Sequence, residues 1–82
     1  MITTAQIRAA RALLRWTAED LAHASGIGSA TIKRLEVQDG VPGVHAKTLQ
    51  SIQKALEAAG IEFLGTPDDR PGVRAHTTDA QK

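Results

Sequence analysis

The apolar residues of this chain recur at helical spacing through most of its first sixty positions. Within Thr4–Leu14, the inward-facing residues fall at positions i, i+3 and i+7, and they are Ile7, Ala10 and Leu14. That spacing places them on one face and predicts a first helix. A longer apolar stripe consists of Leu49, Ile52, Leu56 and Ala59. This stripe predicts a helix that begins at Val44 or His45 and ends at Gly60.

Between these helices lie two shorter helical patterns that meet at a glycine. Thr17 is the predicted N-cap of the first, with an acidic residue three positions later, as in a capping box. Gly26 falls where this helix must end, because glycine adopts the left-handed conformation without a Cβ clash. The second short helix starts near Ser29 and directs Ile32 and Leu35 inward. Two short helices joined by a glycine turn are typical of a helix-turn-helix.

Five positions of this segment also carry a resemblance to a known family, and they are Ala22, Gly26, Ile32, Leu35 and Glu36. The segment resembles the helix-turn-helix of the phage repressor and Cro-like family, also called the xenobiotic-response-element type of bacterial regulator. The likeness runs from about Ile2 to Ala59. It implies an all-α fold, a compact four- to five-helix repressor-like DNA-binding domain over residues 1–60. The alternative is a small helical bundle that contains a glycine turn by chance.

The resemblance implies a sequence-specific transcriptional regulator whose recognition helix, about residues 29–37, lies in the major groove of DNA. Arg34 matches a base-reading position and could donate two hydrogen bonds to guanine O6 and N7. Lys33 is expected to contact a phosphate, and Ala30 or Thr31 could touch a thymine methyl group. The predicted DNA-binding residues are Thr17, Ala18, Gly28, Ser29, Ala30, Thr31, Lys33, Arg34 and Lys47.

The resemblance also implies a structural ion pair between Arg11 and Glu36, which would tie the first helix to the recognition helix. The alternative is two separately solvated charges. The chain departs from the family pattern at two positions. Arg15 stands where members commonly have glycine at a left-handed helix end, and Ala18 stands where they often have a glutamine that contacts the DNA backbone.

Beyond Gly60 the chain is predicted to form a short extension, residues 61–75, and a flexible tail, residues 76–82. The alternating run Ile61–Leu64 predicts a short strand, Thr66–Gly72 a turn, and Val73–Ala75 a possible return strand that would make a hairpin. A homodimer is expected, because one helix-turn-helix reads only a half-site. The apolar residues of Ile61–Leu64 could form the dimer contact or could cover the core of their own protomer.

Composition narrows the remaining function classes. With 82 residues and no cysteine, the chain allows one domain and excludes both a disulfide framework and a thiolate metal site. His23, His45 and His76 match no metal-ligand spacing, and no serine has a base in a recognised arrangement, so no catalytic residue, metal or cofactor is predicted. The chain also lacks a run of about 20 apolar residues and a signal-peptide pattern, so we expect a cytoplasmic protein without membrane contact.

The expected partner is double-stranded DNA. Residues 1–54 carry seven basic and four acidic residues, a net charge of +3, whereas residues 55–82 carry a net charge of −2. This asymmetry fits a nucleic-acid face but also fits an ordinary mixed surface. Two alternatives remain open. One is the antitoxin of a toxin–antitoxin pair that covers its toxin protein with residues 61–82, and the other is a protein-interaction module that has lost DNA binding.

Overall fold

The structure is a computed structural model that describes residues 1–76, in which four helices are followed by a two-stranded antiparallel sheet. The elements are α1 (Thr4–Leu14), α2 (Ala18–Ser25), α3 (Ser29–Glu36), α4 (Ala46–Ala58), β1 (Ile61–Thr66) and β2 (Asp69–Ala75). The all-α fold class expected from the sequence is therefore wrong, and the protein is a small mixed α/β domain. Within the predicted tail, residues 77–82 lie outside the described residues.

The first two helices begin with complete capping boxes. Thr3 caps α1 together with Gln6, and Thr17 caps α2 together with Asp20. In each box the threonine hydroxyl oxygen accepts a hydrogen bond from the main-chain amide of the third helical residue. The side chain of that third residue accepts a hydrogen bond from the main-chain amide of the threonine. Two amide donors that would otherwise be unpaired are thereby satisfied. These local contacts explain why the helices start where the sequence pattern predicts.

Left-handed residues end the same two helices. The C-cap of α2 is Gly26, with φ 75°, and the C-cap of α1 is Arg15, with φ 59° and ψ 38°. Glycine adopts this conformation readily, whereas an arginine side chain crowds the neighbouring carbonyl group. Helix α1 therefore ends in a left-handed residue that carries a side chain and is strained there.

One apolar core is shared by the helices and the sheet. Its members are less than 9% exposed, and they are Ile2, Ile7, Ala10, Ala18, Leu21, Ile32, Leu35, Leu49, Ile52, Leu56 and Ile61. Trp16, Phe63, Val73 and Ala75 are half-buried and pack against this cluster. The hairpin is thus part of the same hydrophobic core as the helices, with β2 next to α1 and β1 next to α4.

The strands extend further than the sequence pattern predicts. They pair from Ile61 with Ala75 to Leu64 with Gly72, and a register shift at Gly65 lets Thr66 face Asp69. The turn is consequently shorter than the predicted one. The sequence pattern does not predict the first part of β2, because Pro71 and Gly72 are both unfavourable in strands. Pairing with β1 and packing against α1 outweigh that local preference.

A buried glutamine holds the hairpin to the first helix. The Gln6 side-chain amide donates to the carbonyl oxygens of Leu64, at 3.0 Å, and Gly72, at 2.9 Å. Its Oε1 accepts the amide of Thr3 at 2.8 Å. One side chain therefore both caps α1 and joins its first turn to the two strands.

Candidate nucleic-acid interface

Helix α3 has one buried face and one exposed face. Ile32 and Leu35 are completely buried, whereas Ala30, Lys33 and Arg34 are exposed. Because side chains at i, i+3 and i+4 share a helix face, the exposed residues form one surface. Val37, the residue that follows the helix, continues this surface and is 82% exposed. The helix thus presents two cations and two small apolar side chains to solvent.

Two arginines of α1 hold the C-terminal end of α3. Arg11 makes a bidentate ion pair with the Glu36 carboxylate, with Nε 2.8 Å from Oε2 and Nη2 2.7 Å from Oε1. Its Nη1 also donates to the carbonyl of Trp16 at 2.9 Å. The hydrogen bond to Glu36 raises the pKa of Arg11 above its ordinary value. The ion pair that the resemblance implies is therefore present.

Arg8 adds a contact that the sequence did not suggest. Its guanidinium donates to the main-chain carbonyl of Glu36, in the last turn of α3. Carbonyl groups at a helix C-terminus lack partners within the helix, and a cation there also interacts favourably with the helix dipole. Arg8 and Arg11 lie three residues apart on α1, and this spacing was the available signal that they face the same neighbour.

The N-terminal end of α3 is open. Gly28 is its N-cap, has no side chain and makes no side-chain capping bond, and the first turn contains no acidic residue. Ser29 and Thr31 of that turn are half-buried. The first turn of α3 therefore places no carboxylate of its own at the positive end of the helix dipole. Helix α4 begins similarly, because His45 makes no side-chain capping bond and Lys47 is exposed in the first turn.

The start of α2 differs from what a phosphate contact requires. The amide of Thr17 already donates to Asp20 Oδ2 at 2.8 Å, and the side chain of Ala18 belongs to the core. Glu19 and Asp20 both place carboxylates in the first turn. Of the predicted DNA-binding residues, Thr17 therefore uses its amide, and Ala18 its side chain, to hold α2, although Thr17 is exposed.

Lys33 and Arg34 lie on the same surface but have different surroundings. Lys33 Nζ is 3.0 Å from Glu19 Oε2, and both side chains are about 60% exposed. The hydrogen bond from Lys33 lowers the pKa of Glu19 below its ordinary value, with a further contribution from a main-chain hydrogen bond. Among residues 1–76, Arg34 makes only a long contact of 3.5 Å with Thr31 Oγ1, which leaves its guanidinium available to a ligand. Nothing in the sequence linked Glu19 to Lys33, because they lie on separate helices.

The described residues offer little support for other kinds of site. Within residues 1–76, no three His, Asp or Glu side chains are grouped so that they could hold a metal ion. None of the helices described is long and apolar enough to cross a membrane. A shallow groove lies between α2 and the start of α3, lined by residues that include Glu19, His23 and Ser29. It is open to solvent and contains no enclosed cavity that would hold a small molecule.

No protein-family model matches this sequence, and no curated protein matches it either.

Proposed function

We propose that this protein is a sequence-specific DNA-binding transcriptional regulator of the phage repressor and Cro-like type, with α3 as its recognition helix. The observation that carries the proposal is the exposed face of α3, on which Arg34 has no close partner among the residues that the structure describes. A free guanidinium on an exposed helix face matches the two acceptors that guanine presents in the major groove. The helix-turn-helix arrangement of α2 and α3 supplies the scaffold for such a contact.

The way in which α3 is held supports this role. A helix that reads bases must keep a constant orientation, and Arg8 and Arg11 bind the C-terminal end of α3 from α1. Its N-terminal end, in contrast, has no side-chain cap and no carboxylate in the first turn. Such an end favours a DNA phosphate or a base edge, since helix N-termini attract anions. Lys47 at the start of α4 would add a phosphate contact.

The direct test is selection of bound sequences from a random duplex pool, followed by titration of the selected duplex and a scrambled duplex. We expect a salt-dependent affinity for both and a clear preference for the selected duplex. The absence of binding to either duplex at low salt would contradict the proposal.

A protein-interaction module without DNA binding is the second candidate. The observation that favours it is the acidic start of α2. Glu19 and Asp20 are both exposed there, and Glu19 forms an ion pair with Lys33 of α3. The titration of the selected and scrambled duplexes separates the two candidates, because a module without DNA binding would bind neither. An antitoxin role, with a toxin protein bound beside this domain, would be indicated by a protein encoded by a neighbouring gene that co-purifies with the chain.

We also propose that the regulator acts as a homodimer, because two half-sites provide the specificity that one helix-turn-helix lacks. Ile61 belongs to the core of its own protomer and Phe63 packs against it, which supports the alternative that these side chains cover that core. A dimer contact in β1 would therefore have to involve its outer edge. Sedimentation equilibrium over a range of concentrations, with and without the selected duplex, tests the stoichiometry.

A further inference from the structure

We propose that Glu19 limits the affinity for DNA by holding Lys33 in an intramolecular ion pair that a DNA phosphate must displace. The inference rests on the proposed function. It assigns to Glu19 of α2 a role in tuning the recognition surface, although this residue lies outside the recognition helix. The geometry behind it is the 3.0 Å contact between Lys33 Nζ and Glu19 Oε2.

The pair is built so that it can open. Both side chains are about 60% exposed, and each partner is a flexible side chain on the surface of its helix. Water and salt screen such a pair, so holding it together contributes little to folding. The Arg11–Glu36 pair is different, because the Glu36 side chain is only 9% exposed and both of its oxygens are bonded. Opening the Glu19–Lys33 pair would leave the fold intact.

A carboxylate and a phosphate compete for the same ammonium group. Lys33 carries one positive charge, and Glu19 already neutralises it in the free protein. If a phosphate approaches while Glu19 remains in place, two anions lie close to one cation and repel each other. If Glu19 moves away, the protein gives up the pair before it gains the phosphate contact. In both cases the net gain from Lys33 is smaller than that of a free lysine.

Glu19 can be changed while the capping box of α2 stays intact. The capping box of this helix uses Thr17 and Asp20, and Glu19 takes no part in it. Glu19→Gln therefore removes one charge and leaves the cap in place. The matched control is Glu57→Gln near the C-terminal end of α4, which makes the same change of charge at an exposed carboxylate bonded only to Gln53.

The experiment measures binding of a random duplex and the selected duplex by wild type, Glu19→Gln, Glu57→Gln, Lys33→Ala and the Glu19→Gln/Lys33→Ala double variant. We expect Glu19→Gln to tighten binding to both duplexes by about three- to tenfold at low salt, and Glu57→Gln to have a much smaller effect. In the Lys33→Ala background, Glu19→Gln should lose most of its effect, because the two residues act through one contact.

The outcomes separate this inference from the proposed function. If wild type binds DNA and Glu19→Gln behaves like Glu57→Gln, the inference fails while the proposed function stands. If the gain persists in full without Lys33, Glu19 acts by general repulsion and the inference also fails. If neither wild type nor Glu19→Gln binds duplex, the proposed function fails, and the inference with it.

A measurement without DNA checks the ion pair itself. In an NMR titration, the pKa of Glu19 should lie below its ordinary value in wild type and should rise in Lys33→Ala, since the hydrogen bond from Lys33 is the main cause of the shift. An unchanged Glu19 pKa in Lys33→Ala would mean that the pair does not persist in solution, which would overturn the inference.

Discussion

Arg11 of α1 and Glu36 of α3 are joined by two parallel hydrogen bonds of 2.7 and 2.8 Å, although they lie 25 residues apart. The planar guanidinium matches the carboxylate oxygens, a geometry that favours one relative orientation. Glu36 is also the last residue of α3, so the pair fixes the end of the helix that we propose reads DNA. The same guanidinium binds the Trp16 carbonyl and thereby links α3 to the segment between α1 and α2.

Glu36→Gln should destabilise the fold by about 1–3 kcal/mol, because it leaves the Arg11 guanidinium without its anion in a partly buried site. Urea denaturation followed by the fluorescence of Trp16, the only tryptophan, measures the change. The matched control is Glu62→Gln, which breaks an exposed pair with Arg74 and should leave stability nearly unchanged. Equal effects of the two substitutions would contradict a structural role for the Arg11–Glu36 pair.

Leu35→Ala should cost about 2–5 kcal/mol, because Leu35 is fully buried and its truncation leaves a cavity between α3 and the core. In a domain of this size, that loss approaches the whole stability. Leu13→Ala is the control, since Leu13 lies on α1 with 48% of its surface exposed. Thermal unfolding by circular dichroism should give a large difference between the two variants.

Arg15→Gly should stabilise the protein by about 0.5–1 kcal/mol, because it removes the left-handed strain that a side chain suffers at φ 59°. Arg15→Ala keeps the strain and should bring no such gain. Chemical denaturation of the two variants and wild type measures the difference. A lower stability of Arg15→Gly than of wild type would show that the arginine side chain contributes more than the backbone strain takes away.

Gln6→Ala should loosen the hairpin, because it removes the two bonds that Gln6 donates to Leu64 and Gly72. The expected loss is about 1–3 kcal/mol for the buried polar groups left without partners. Amide exchange rates should increase relative to wild type, and a larger increase in β1 and β2 than in α2 would locate the effect in the hairpin. The control, Gln53→Ala, removes an exposed bond to Glu57 and should leave the exchange rates of the strands unchanged.

Arg34→Ala should weaken binding to the selected duplex far more than binding to a random duplex, since a bidentate contact with guanine is worth about 1–3 kcal/mol of discrimination. Lys33→Ala should weaken both by similar factors and flatten the slope of log affinity against log salt by up to about one unit. Measuring both variants on both duplexes at two salt concentrations tests the assignment. An unchanged ratio of the two affinities in Arg34→Ala would exclude Arg34 as the base reader.

The sequence by itself determined the helices and their ends, because these depend on contacts between residues a few positions apart. Thr17 and Asp20 close a capping box over three residues, and Gly26 ends α2 through its own backbone conformation. The inward positions of Ile32 and Leu35 follow from helical periodicity alone. Local chemistry of this kind is present in the order of the residues before any tertiary contact forms.

Tertiary structure decided which elements and side chains meet, because these contacts depend on the angles at which the elements pack. Strand β2 is longer than its composition predicts, because it pairs with β1. It is also held by the hydrogen bond that Gln6 donates to Gly72, 66 residues further along the chain. The meeting of Glu19 with Lys33 depends on the crossing of α2 and α3, which spacing along the chain does not specify. A helical pattern fixes which face of an element is buried, but the identity of the neighbour on the exposed face emerges only when the whole chain has folded.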